Sequence, residues 1–86
     1  EWAEFVTNMT QRTVRQRTAL ALIVLNESYD GKEINVARED LANMVGTATE
    51  SLIRLINEFK KDSIITVSAR KIQILDFFAL KRIAED

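Results

Sequence analysis

The side chains able to do chemistry cluster in one short run, Thr47-Ala48-Thr49-Glu50-Ser51, with Arg54 three residues further on. On a helix, Glu50 and Arg54 lie four residues apart and share one face, flanked by Thr49 and Ser51. Hydroxyls, a carboxylate and a guanidinium on one face can exchange hydrogen bonds with a ligand. They do not form a nucleophile–base pair. The sequence contains no His and no Cys, so the commonest general base, the thiol nucleophile and thiolate metal ligation are all missing. Glu39-Asp40 and Glu85-Asp86 are adjacent pairs that point to different helix faces, which makes them poor acid/base dyads and poor metal cages. No Gly-rich phosphate loop occurs. Neither a catalytic nor a metal-ligating residue is assigned, and an enzyme is not expected.

Composition agrees. The 86 residues are 47% hydrophobic and 29% charged, with 12 basic and 13 acidic side chains and a formal net charge of −1. A chain of this size forms one small domain. The longest apolar run, Ala19 to Leu25, is seven residues, far short of the roughly 20 that a membrane helix needs. The chain begins at Glu1 rather than Met, so it is expected to be a piece of a longer protein.

The elements that must position the run can be read from the pattern. Trp2, Phe5, Val6 and Met9 fall on one helical stripe. A helix is predicted from about Thr13 to Glu27, where Ala and Leu dominate and nothing breaks the chain. Asp30-Gly31 ends it, and Ile34-Asn35-Val36 reads as a short extended segment. Helices are then predicted over 37–45 and 48–61, with Gly46 between them. Ile64 to Val67 and Lys71 to Leu75 are β-branched runs that read as an antiparallel hairpin. Asp76 can cap a final helix in which Phe77, Leu80 and Ile83 or Ala84 share a face; Phe59, Phe77 and Phe78 are expected in the core. Three helices, a hairpin and a helix follow the order of a winged helix-turn-helix domain.

Two helices crossing closely at a short turn need a small residue in the first and a positive-φ residue between them. Ala42 and Gly46 fill those places, with Leu41, Val45, Leu52 and Leu55 facing the shared core. Thr47-Ala48-Thr49-Glu50 has the S/T-x-x-E form of a capping box, which predicts Thr47 as the N-cap. Such a start aims the early side chains outward, where a recognition helix meets base edges.

The stretch from Val45 through Gly46, Thr47, Glu50 and Ser51 to Arg54, followed by Phe59-Lys60-Lys61-Asp62-Ser63-Ile64-Ile65, resembles the C-terminal domain of Crp/Fnr-type bacterial transcription regulators. Upstream, Arg17, Ala19, Leu22, Ile23 and Leu25 resemble that family's first DNA-domain helix; downstream, Ile64 to Ile74 resemble its wing. The resemblance implies a mainly α fold with a small β hairpin, a winged helix-turn-helix over 12–86 preceded by the end of a dimerisation helix over 1–11. Trp2, Phe5, Val6 and Met9 would then be dimer contacts; packing on the domain's own core is the plainer account of the same stripe.

By this resemblance the recognition helix is about 48–61, and Glu50 and Arg54 match base-reading positions aimed at cytosine N4 and guanine. Thr49 stands where family members often carry another base-reading Arg. Thr47 and Ser51 match hydroxyls near phosphate, and Arg70 and Lys71 fall in the wing, where backbone contacts are implied. Arg12 and Arg15 lie in an acid-free stretch, Phe5 to Asn26, and oppose the helix dipole at its start. The resemblance places this helix start beside the DNA backbone and so implies phosphate contact for Arg12 or Arg15, a solvated helix start being the plainer account. Arg17 resembles a structural residue. Ala69 replaces the usual turn glycine, and Ala37 replaces a capping Thr.

The resemblance implies double-stranded DNA as partner, a homodimer in the full-length protein, RNA polymerase as a further partner, a cytoplasmic location and no membrane. No cofactor is implied within 12–86; an effector, a cyclic nucleotide among the candidates, would be read by a domain ahead of Glu1. A plainer role for Glu50 remains, as cap and as i,i+4 partner of Arg54. A winged helix that serves as a protein-interaction module is the competing function, and the near-neutral charge favours it. That charge also argues against tight non-specific DNA binding without dimerisation.

Overall fold

Thr13 starts the first helix. Its hydroxyl accepts from the Gln16 N–H at 3.1 Å, while the Gln16 side chain accepts from the Thr13 N–H at 2.8 Å, a reciprocal capping box. The structure, a computed structural model, describes residues 12–85. Within them the order is α1 (Val14–Ser28), α2 (Arg38–Val45), α3 (Thr49–Lys61), β1 (Ile65–Ser68), β2 (Lys71–Ile74) and α4 (Phe77–Glu85). This is the expected winged helix-turn-helix order. None of the described helices is long and apolar enough to cross a membrane.

α1 buries Ala19 and Leu22 and packs chiefly along α4, which contributes Leu80 and Ala84. Thr18 is also fully buried; its hydroxyl donates to the Val14 carbonyl one turn back, and among the described residues no buried side-chain polar atom is left without a partner. α2 crosses α3, and Leu41, Ala42 and Val45 meet Leu52, Ile56 and Phe59 in one core. Leu55, expected in that core, is only half-buried; Ile56 takes the inner position. The hairpin pairs Ile65 with Ile74 and Ser68 with Lys71. Ile34 adds a third strand of one residue: its N–H and carbonyl both bond Ile72, at 2.7 and 2.9 Å. The extended reading of 34–36 thus has a cause, because the α1–α2 connection hydrogen-bonds the wing.

Two further sequence readings are corrected. The first is Thr47 as N-cap. α3 starts at Thr49, its N-cap is Ala48, and no side chain caps it. A capping box needs Glu50 to accept from the Thr47 N–H, and that donor is already bonded to the Ala42 carbonyl at 3.0 Å. The turn uses it first. The second is the placing of Phe77 and Phe78 in the core: they are 39% and 75% exposed, and only Phe59 is buried. Asp76 does cap α4, accepting from the Ala79 N–H at 3.0 Å, which puts both phenylalanines in the first turn. Helical side chains lean toward the N-terminus, so first-turn rings project past the end of the packed face. They meet each other instead, edge to face at 6.1 Å.

Positive φ occurs where α2 meets α3 and at the wing tip, Gly46 at +82° and Ala69 at +58°. A Cβ on Gly46 would meet nothing within 4 Å, so the strain of Gly46→Ala is conformational alone. Urea denaturation is expected to show Gly46→Ala losing about 1–2 kcal/mol, the left-handed penalty of an L-residue. Ala69→Gly is expected to gain about 0.5–1 kcal/mol by removing that penalty at the wing.

Candidate nucleic-acid interface

The start of α1 and the outer face of α3 bound a depression of about 360 Å³ lined by Thr13, Val14, Arg15, Thr47, Ser51, Arg54, Leu55 and Glu58. Four residues singled out from sequence, Arg15, Thr47, Ser51 and Arg54, therefore share one cleft although 39 positions separate the first from the last. Two are hydroxyls and two are guanidiniums, a set suited to anionic oxygens. Thr49 and Glu50 stand outside this cleft, in the first turn of α3, with Glu50 exposed on the face it shares with Arg54. The Glu50–Arg54 ion pair considered from sequence is not formed. Among the described residues the ion pair is Arg15–Glu58, at 3.1 Å.

Arg15 does more than face the cleft. Its guanidinium carbon sits 5.2 Å from the centre of the buried Phe59 ring, and its Nη1 donates to Glu58 Oε1. Arg17, read as structural, spans two elements: Nε donates to the Val45 carbonyl at 3.0 Å and Nη1 to the Arg12 carbonyl at 2.6 Å. It satisfies a carbonyl at the end of α2 that the helix itself leaves free. Arg12 turns elsewhere. Its Nη1 donates to the Ala84 carbonyl at 3.4 Å at the end of α4, outside the cleft.

The wing supplies a second basic corner. Arg70 and Lys71 are exposed at the turn, and the Arg38 guanidinium donates to the Arg70 carbonyl at 3.4 Å. Ala37, Arg38 and Arg70 line a depression of about 210 Å³. Burial pushes the Arg38 pKa below its ordinary value, although an Arg stays charged at neutral pH. Sequence reading missed Arg38. Its signal was available: a cation in the first turn of a helix opposes the dipole, the reasoning already applied to Arg12 and Arg15. α2 also lacks a side-chain cap at Ala37, as the sequence implied. Trp2, Phe5, Val6 and Met9 lie outside the described residues.

A family model described as a Crp-like helix-turn-helix domain matches residues 16–83. The chain belongs to that family. Its relatives include the transcriptional regulator SdrP of Thermus thermophilus, 37% identical over 82 residues that make up 88% of this chain and 40% of the relative. The HTH-type transcriptional regulator Cmr of Mycobacterium tuberculosis is 33% identical over 66 residues, 77% of this chain and 27% of that protein. Among solved structures, a Crp/Fnr-family regulator from Thermus thermophilus superposes with a TM-score of 0.85 at 26% identity, over 94% of this chain and 45% of that one. The chain thus spans less than half the length of these relatives. For a member of the Crp-like family, the placing of the cleft beside α3 is the informative feature.

Arg17 joins α1, one wall of that cleft, to the end of α2. Arg17→Met, which keeps the aliphatic stem but removes both charged donors, is expected to cost about 1.5–3 kcal/mol in thermal unfolding. The Gly46 and Thr47 amides are expected to lose hydrogen-exchange protection with it.

Proposed function

We propose that this chain is the DNA-binding domain of a dimeric transcription regulator, with the recognition helix, about 48–61, laid in the major groove of double-stranded DNA. The observation that carries the reading is the convergence of Arg15, Thr47, Ser51 and Arg54 on one cleft beside α3, in a chain of the Crp-like helix-turn-helix family. Thr49, Glu50 and Arg54 face base edges. An Arg suits guanine O6 and N7, and a carboxylate suits cytosine N4. Thr47, Ser51 and Arg15 serve phosphates at one end of α3, while Arg70, Lys71 and the Arg38 found beside them serve phosphates at the wing. Arg12, held at the end of α4, contributes least to this track. Trp2, Phe5, Val6 and Met9 pair two copies, which sets half-sites about 34–36 Å apart.

The competing reading, a protein-interaction module, draws on a different observation. Leu75, Phe77 and Phe78 make an exposed apolar patch where the hairpin meets α4. Salt separates the two readings, since phosphate neutralisation makes log K fall steeply with log salt.

Titrations against a fitted palindrome and its single-base variants test the assignments. Arg54→Ala is expected to lose about 1–3 kcal/mol at one base position only, and uniform weakening would make Arg54 a phosphate contact. Arg70→Gln is expected to weaken all sequences alike and to reduce the salt slope by about 1.

A further inference from the structure

We propose that Glu58 is a built-in competitor for nucleic-acid phosphate: its carboxylate holds the Arg15 guanidinium in the free domain and releases it when a phosphate enters the α1–α3 cleft. The proposal rests on the DNA-binding reading above. Glu58 is the one acid lining a cleft otherwise furnished with Arg15, Arg54, Thr47 and Ser51. Its oxygen lies 3.1 Å from Arg15 Nη1, the position an anionic phosphate oxygen would take. An incoming phosphate therefore meets a cation already neutralised and a like charge on the same wall.

The pair has the properties of a displaceable contact. Its side chains are 40% and 50% exposed, a setting in which ion pairs are weak and screened by salt. When Glu58 swings away, Arg15 is still held, because its guanidinium rests over the buried Phe59 ring. The guanidinium thus stays aimed at the cleft while its anion is exchanged. Glu58 lowers affinity for every sequence alike, so it makes binding depend on the base contacts and on dimerisation.

The test measures affinity for a duplex without a palindrome by fluorescence anisotropy across a salt series, using wild type, Glu58→Gln, Arg15→Gln and the double variant. Glu27→Gln, the same charge change at the far end of α1, is the control. Glu58→Gln is expected to bind about twofold to fivefold more tightly at low salt, with an advantage that shrinks as salt rises, because the exposed ion pair it removes is itself screened. Glu27→Gln should show no such gain, and the gain should vanish in the Arg15→Gln background. Glu58→Asp, with its carboxylate drawn back by one methylene, should fall between Glu and Gln. Unchanged or weaker binding by Glu58→Gln would overturn the proposal, leaving Glu58 as a brace that orients Arg15. A gain that survives in the Arg15→Gln background would overturn it in favour of general repulsion. If the wild type shows no salt-dependent duplex binding, the DNA-binding reading itself fails and takes this one with it.

Discussion

The carbonyl of Ala42 governs the molecule. It accepts from the Gly46 N–H at 2.8 Å and from the Thr47 N–H at 3.0 Å, so one acceptor both ends α2 and turns the chain toward α3. The turn is possible because Gly46 takes the left-handed conformation without a steric penalty. It can be tight because Ala42 places only a methyl group between the crossing helices. Arg17 completes the arrangement by bonding the Val45 carbonyl, which ties the turn to α1. The cleft lies between α1 and α3, and its shape follows from these few hydrogen bonds.

Capping shows where sequence reading succeeds and where it stops. Thr47-x-x-Glu50 has the form of a box and makes none; Thr13-x-x-Gln16 has the same form and makes one. The difference is not in the four residues. It lies in whether the first residue's N–H is free, and Thr47 has given its own to the helix before it. A local motif predicts a local bond only when no neighbouring element has a prior use for the donor. Asp76 also gives its own N–H away, to the Ile64 carbonyl at 3.0 Å, yet it caps α4 as expected, because that bond needs only its carboxylate and the Ala79 N–H.

The core was legible because periodicity marks a face, and Leu41, Ala42, Val45, Leu52 and Phe59 all lie on it. Phe77 and Phe78 were not, because hydrophobicity says nothing about whether a first-turn side chain has an element to lean on. For the site, residue type and family resemblance together marked Arg15, Thr47, Ser51 and Arg54 as separate candidates. Their sharing of one cleft depends on how α1 lies against α3, and no spacing encodes that. Glu58 was unremarked for the same reason, since its partner stands 43 positions away. Arg38 gains its meaning from the wing turn that folds beside it.

The Arg12–Ala84 hydrogen bond ties the first described residue to the end of the last helix. The two ends of the described residues therefore lie side by side, with α1 and α4 packed together. In topological terms the domain is nearly a closed ring. A short bridge between the two ends and a new break at the exposed Asp30-Gly31 turn would give a circular permutant with the same neighbours in its core. The order in which the helices are strung is thus separable from how they are packed.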